Sequence, residues 1–445
     1  MNFFISVLKL PALLVGLISL IGLISQKKSP VEVISGTFRT IIGFTILNAG
    51  ADLVALALSP IGKIFRGAFG LAGIVPNNEA TVSFALAEYG STAAVILAIG
   101  MLVNIFLARF SRFKYIFLTG HLAFYMSSLL AMLLPQLGYS SYLLYLTGGL
   151  ILGLLMSILP AIAQPYMRKI TGSDEIALGN FGTLGYILSA ELGKRCGGDK
   201  RSTEEIQLKG FWRFLEDSTV AIALVMTFIY MVIALLAGPK FIEAELSAGQ
   251  HYLVYALLQS IIFASGIFVI MQGVNMFLKE LVSAFTGISK KLVPSAKPAL
   301  DGPVIYPYAP NAVLIGFVSS FAGGLLALAI LILTKSNIVI PGLVAHFFCG
   351  ASSAVFGNAT GGRRGAVIGS FINGLIFVLL PPAIHRIVVP LQQATTTFSD
   401  TDFQATGLLT NYLGRLLGPL AFTFLLIGII FVLVTVEAVH KFKSR

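Results

Sequence analysis

"GIVPNNEATVS", residues 73–83, sets a proline, two asparagines and a glutamate between apolar runs. What that interruption means depends on its surroundings. The 445 residues are 56% hydrophobic and only 11% charged, with a mean hydropathy of +0.90. Soluble domains carry about 25% charged residues. Repeated apolar stretches of about 20 residues are the mark of membrane-spanning helices. The runs here are long and rich in Leu, Ile, Gly and Ala, unlike the short alternating segments of an outer-membrane barrel. The sequence therefore predicts an all-α polytopic membrane protein, in which 73–83 breaks a hairpin.

Apolar runs fall near 4–25, 35–58, 91–108, 114–134, 142–164, 218–238, 250–287, 310–334, 338–356, 365–389 and 415–440. This predicts about eleven spans. The first run lacks a basic leader and a small-residue cleavage site, so it reads as a retained span. Basic residues cluster at run ends: Lys27–Lys28, Arg109–Arg112–Lys114, Arg168–Lys169, Lys194–Arg195–Lys200–Arg201, Lys290–Lys291, Arg363–Arg364 and the final "HKFKSR". Placed on the cytoplasmic side, they put the N-terminus outside and the C-terminus inside, with Lys63, Arg66 and Lys335 against the trend. The net charge of +11 is explained by these anchors, and no nucleic-acid partner is expected. Cys196 and Cys349 form no CxxC, and no metal site, cofactor or catalytic constellation is expected. Trp212 in "KGFWRFLED" reads as an interfacial anchor.

Three stretches do not fit as simple spans: 68–88, 172–193 ("GSDEIALGNFGTLGYILSAELG") and 294–312 ("PSAKPALDGPVIYPYAPNA"). Irregular backbone at membrane depth survives only where protein or a water-filled cavity covers it, and such breaks point to a transporter's binding site. The stretches also echo one another. "VPNNEATVS" is matched by "YAPNAVLIG" (308–316), "IFLTGHLAFYMSS" (116–128) by "IVIPGLVAHFFCGASS" (338–353), and "ALGNFGTLG" (177–185) by "FGNATGGRRG" (356–365). With Asn77 outside and Asn311 inside, this is the pattern of an inverted repeat, here 1–195 and 215–390, followed by a last helix at 415–440.

The segments "GTFRTIIGFTILNAG" (36–50), "LTGHLAF" (118–124), "VMTF" (225–228), "GVNMFLKELVSAFTGISKKLVPSA" (273–296), "IYPYAPNAVLIGF" (305–317) and "IVIPGLVAHFF" (338–348) carry a resemblance to a known family. The chain resembles the ascorbate-type membrane component, EIIC, of the bacterial phosphoenolpyruvate-dependent sugar phosphotransferase system, in the group that includes galactitol carriers. The resemblance implies eleven spans in a V-shaped dimerising scaffold and a core with two re-entrant hairpins, in the bacterial cytoplasmic membrane. It implies a homodimer that carries a small carbohydrate and delivers it to a soluble partner, EIIB. The cysteine of EIIB supplies the phosphate, charged in turn through EIIA, HPr and enzyme I. A single EIIC domain is read over 1–445, with no EIIA or EIIB domain. Cys196 lacks a phosphate-cradling loop, and "GNATGGRRGA" (357–366) is not a P-loop.

The candidate substrate residues are Asn77, Asn78, Glu79, His121, Tyr125, Asn180, Asp301, Tyr306 and Asn311. A carboxylate and amides suit a ligand with many hydroxyls. Glu79 either meets that ligand or caps the next helix. His121 lies a turn or two into a predicted span, where an ionisable side chain defaults to function, and the family's matching histidine lines the site. Asp301 matches a family aspartate that contacts substrate; as an isolated residue it would also suit an Asx turn. Tyr306 and Asn311 either bind sugar or close the hairpin. His346 reads mainly as a histidine packed between helices. Lys279–Glu280 and Lys290–Lys291 are either inside-positive anchors or an EIIB-docking surface. The family's ascorbate carriers have a glutamine at the Tyr125 position, a His-Gln pair at Asn180-Phe181, and no "PNNE". Ascorbate or a related sugar or sugar acid is expected, with a galactitol-type polyol as the alternative. An ion-coupled secondary transporter is a further reading of the same spans.

Overall fold

The computed structural model describes residues 11–69, 73–197, 201–206, 218–291, 293–388 and 396–443. Apolar runs lacking water to satisfy their backbone close into helices, and here they do so with local signals at their ends. Helix α1 spans Pro11–Ser25 and α2 Pro30–Phe69. Pro30 takes the first turn of α2, where its missing N–H costs nothing. Ser29 and Glu32 exchange backbone and side-chain bonds (3.0 and 3.3 Å) as a capping box. After β1 (Val75–Pro76), α3 spans Asn78–Phe110, and Asn77 caps it by accepting from Ala80 N at 2.7 Å. Then come β2 (Tyr115–Phe117), α4 (Gly120–Leu133), α5 (Ser141–Thr171), β3 (Ala177–Leu178) and α6 (Thr183–Cys196).

The second half runs α7 (Ser218–Ala237), α8 (Pro239–Glu245), α9 (Tyr252–Lys291), β4 (Lys297–Leu300), a 3-10 turn Gly302–Tyr308 and α10 (Pro310–Leu333). It continues with α11 (Leu343–Leu379), α12 (Pro381–Ile387), β5 (Thr396–Thr397) and α13 (Thr401–Lys443). Helix α11 is broken at Gly362 (φ 60°, ψ −149°), backbone that only glycine adopts readily. The predicted spans 338–356 and 365–389 are thus two arms of one broken helix. Among the described residues seven helices are long and apolar enough to cross a bilayer, or eight if the bent pair α7–α8 is one span. The run 114–134, expected as a span, yields only the 14-residue α4, which is buried from Met126 to Leu133. Residues 68–88 are not a separate piece either, since α3 starts at Asn78 and continues to Phe110. Trp212 lies outside the described residues, as do the side chains of Glu79, Lys290 and Lys291.

One apolar core lies among α2, α7, α9, α10 and α11, and a second among α3, α4, α5 and α13. Helices α2 and α9 approach so closely that a β-carbon on Gly50 would sit 2.6 Å from Ile270 N, the small-residue contact that joins helices where no hydrophobic drive separates helix from lipid. Large apolar side chains point outward, among them Phe228, Leu333, Phe424 and Phe431, as expected of lipid-facing surface.

The broken stretches are joined by two small parallel sheets. Strand β4 of the second half lies between β2 and β3 of the first. Strand β1 of the first half pairs with β5 of the second, and Ile74 bridges to Val339. Each half therefore inserts one strand into the broken stretches of the other. This exchange makes 396–404 the counterpart of 177–185. The sequence match of 177–185 to 356–365 fails because the latter lies inside α11, across its break.

Candidate functional site

Parallel pairing places the C-terminal ends of β2, β4 and β3 at one edge. Leu118 N donates to Ala299 O (2.9 Å) and Gly179 N to Leu300 O (2.6 Å). Thr119 Oγ1 donates to Gly179 O at 2.6 Å. Just beyond these ends the chain presents His121, Asn180 and Asp301. The second sheet does the same with Asn77, Asn78, Ser399 and Asp400. Both edges open on one cavity of about 840 Å³, whose lining includes all seven of these residues together with Asp52, Tyr125 and Tyr306.

Asp301 is the hub of the first edge. Its Oδ1 accepts from Asn180 Nδ2 (2.6 Å) and from Gly302 N (2.7 Å), and its Oδ2 lies 3.5 Å from His121 Nε2. Asn180 Oδ1 in turn accepts from Gly182 N (2.6 Å) and Tyr186 OH (2.9 Å), so backbone and tyrosine donors fix which face of the amide meets Asp301. Tyr125 stands one helical turn after His121, with ring centroids 5.7 Å apart. Tyr306 reaches the cavity wall while its hydroxyl donates to Phe348 O at 2.9 Å. Asn180, Asp301, His121, Tyr125 and Tyr306 are thus brought together as the sequence predicts.

The other candidates separate. Asn77 and Asn78 line the cavity, but Asn77 Oδ1 is spent on the α3 cap. The Glu79 side chain lies outside the described residues. Asn311 is not brought to the cavity. Its backbone N and that of Ala312 donate to the Glu204 carboxylate (3.1 Å each), and its amide donates to Thr203 O (3.3 Å). Those bonds cap the start of α10 from a distant loop. His346 is buried between α10 and α11, bonded to Ser320 Oγ at 2.8 Å and edge-on to Phe321 and Phe377, in keeping with its packing role. Cys196 is exposed at the end of α6. Glu280 pairs with Arg39 at 3.3 Å.

Sequence reasoning missed Asp400, Ser399 and Asp52. Asp52 carried a signal, a carboxylate inside the apolar run 35–58. Asp400 sat in "TTTFSDTDF" (395–403), between runs, where Ser and Asp read as turn residues. Neighbouring Asp402 accepts from Thr183 N and Leu184 N (2.9 Å each), capping α6 from the other half of the chain.

Outside the spans, Asp174 braces the strands. It accepts from Arg168 Nε (2.6 Å), Lys297 Nζ (2.5 Å) and Gln164 Nε2 (2.9 Å). Burial pushes its carboxyl up, but Arg168, Lys297 and Gln164 together hold it below the usual carboxylate range. The brace ties the start of β4 to the end of α5.

A cavity among apolar helices, with polar side chains presented into it by broken backbone, is the build of a membrane permease. The chain belongs to the EIIC-GAT family, the PTS system sugar-specific permease component, whose match covers residues 6–402. It is 28% identical over 441 aligned residues to the "Ascorbate-specific PTS system EIIC component" of Mycoplasma pneumoniae, an alignment covering 87% of this chain and 67% of that protein. The all-α multi-pass fold and the phosphotransferase-system reading both stand on these findings.

Proposed function

We propose that this permease binds ascorbate or a related small carbohydrate between its two strand-bearing hairpins and presents it at the cytoplasmic face to EIIB. The carrying observation is the convergence of His121, Asn180 and Asp301 at one sheet edge in a cavity large enough for a sugar. Asp301 and Asn180 orient each other, and His121 sits where it can meet a ligand hydroxyl. The chain supplies recognition and passage. Phosphoryl transfer falls to the cysteine of EIIB, recharged through EIIA, HPr and enzyme I. The working unit is a homodimer in the bacterial cytoplasmic membrane, N-terminus outside and C-terminus inside, with one EIIC domain built as an inverted repeat. Gly-bearing α2, with apolar side chains such as Ile34, Phe38 and Leu56 turned outward, supports a helix-packing interface.

The test is chemical. Membrane vesicles containing the full chain are supplied with labelled ascorbate, with and without phosphorylated EIIB. Internal sugar phosphate that depends on both proteins supports the reading. Accumulation of unmodified sugar without EIIB overturns it in favour of ion-coupled transport.

A further inference from the structure

Helix α6 begins without a cap of its own. Its N-cap position is Gly182, which has no side chain to accept from the first N–H groups. The reason lies one turn further on. A β-carbon at Gly182 would displace the hydroxyl of Tyr186, which donates to Asn180 Oδ1 at 2.9 Å. Glycine therefore lets Tyr186 reach Asn180, and the helix start is left short of an acceptor.

Asp402 supplies it from the other half of the chain. Its Oδ2 accepts from Thr183 N and its Oδ1 from Leu184 N (2.9 Å each), and its own N–H donates to Phe181 O at 2.8 Å. Both sides of Gly182 are thus pinned to one residue. The pinned turn is the one that holds Asn180. Gly182 N donates to Asn180 Oδ1 (2.6 Å), and Thr183 Oγ1 donates to Asn180 O (2.6 Å). With its oxygen so occupied, the Asn180 amide turns its nitrogen to Asp301 Oδ1. Asp402 is 1% exposed and does not line the cavity, so any effect on a ligand passes through other groups. A buried carboxylate is costly unless its oxygens are bonded, and both oxygens here serve the turn that carries Asn180. Aromatic packing holds the same segment. Phe403 lies against Phe181 (ring centroids 5.4 Å) and Phe398 (5.2 Å), and Phe181 against Phe117 of β2 (5.3 Å).

We propose that Asp402 is a positioning residue of the permease: by capping α6 from the other half of the chain it sets Asn180 against Asp301, and ligand affinity depends on it without contact. The inference rests on the carrier reading above. Asparagine at 402 keeps one acceptor and turns a donor on the second N–H, so the turn loosens at constant volume. Glu204 makes the same kind of cap away from the cavity, accepting from Asn311 N and Ala312 N at the start of α10, and is the internal control.

The full chain in nanodiscs is titrated calorimetrically with ascorbate and with galactitol, and the tighter binder serves as the probe for the variants. Asp402→Asn weakens its binding about five-fold or more, the worth of a lost cap passed on to the site. Asn180→Ala weakens it too, and adding Asp402→Asn to Asn180→Ala costs nothing further, because the residue through which Asp402 acts is gone. Glu204→Gln lowers the melting temperature as Asp402→Asn does but leaves affinity unchanged, which separates positioning from general stability. A smaller loss in Asp402→Asn, a full further loss on top of Asn180→Ala, or an equal loss in Glu204→Gln overturns the inference. Should Asp402→Asn fail to fold, Asp402→Ser, smaller and with one acceptor, is read in the same comparison. Binding of neither compound by the wild-type chain refutes the carrier reading itself, and the inference with it.

Discussion

Asp301→Asn removes one charge from the cavity and almost no volume. The amide oxygen can still accept from Asn180 Nδ2 and Gly302 N, which now hold 2.6 and 2.7 Å contacts to Oδ1. The local turn therefore keeps its geometry. What changes is the other side, where Oδ2 faces His121 Nε2 at 3.5 Å and borders the cavity. An amide nitrogen there donates where a carboxylate accepted. A hydrogen bond to a charged group is worth about 1.5–3 kcal/mol and a neutral one about 0.5–1.5. A ligand hydroxyl on Oδ2 thus loses about 1–2 kcal/mol, and a freed His121 adds to the loss. At 1.4 kcal/mol per tenfold, affinity falls about five- to thirty-fold from the lost bond alone. Titration calorimetry on purified protein reads that change, with a thermal melt in the same detergent as the folding control. Uptake in vesicles should fall to background at substrate concentrations near the wild-type Kd. Affinity within three-fold of wild type at an unchanged melting temperature would remove Asp301 from the ligand contact.

His121→Ala should abolish uptake while the protein stays folded in membranes, since the ring stands at the start of α4 and is half-exposed to the cavity; near-normal transport with wild-type expression would take it out of the site. Glu204→Ala removes the carboxylate that accepts from Asn311 N and Ala312 N, and lost helix caps cost about 1 kcal/mol, so a thermal melt should shift down, with ligand affinity measured well below the melt unchanged. The Asp174 brace gives a pH dependence. Its carboxyl is depressed in the fold, so its stabilisation is present above the ordinary value of 3.8 and drains away as pH falls through the lower folded value. Asp174→Asn should flatten the acid limb of a melting-temperature profile below about pH 4, and an unchanged limb would show that other carboxylates set it.

How much of this was legible follows from the length scale of each signal. Helices of 24–43 residues announce themselves through hydropathy, and the runs 250–287 and 310–334 locate α9 and α10 to within a few residues, while 35–58 finds α2 but stops short of its end at Phe69. The strands that organise the site are two to four residues long, too short for any periodicity to register. Their sequences, such as "VP" and "TT", read as breaks, and a break is silent about what it pairs with. That pairing supplies what the broken backbone needs. Between apolar helices an unpaired N–H or C=O is costly, so each interrupted stretch must find partners, and each finds them in the other half of the chain. Pairing in parallel sends His121, Asn180 and Asp301 to one edge and Asn78, Ser399 and Asp400 to the other. The carboxylates Asp301 and Asp400 lie almost a hundred residues apart in the second half of the chain, and the strand exchange sets each beside an asparagine of the first half, Asn180 and Asn78. The sequence around Asp301 could be read because "LDGP" interrupts an apolar context, whereas Asp400 was hidden in a polar stretch that looked like a loop between spans. The same interruption that costs the fold a continuous helix thus leaves polar strand ends at the cavity, and the residues next to those ends are where substrate recognition is to be sought.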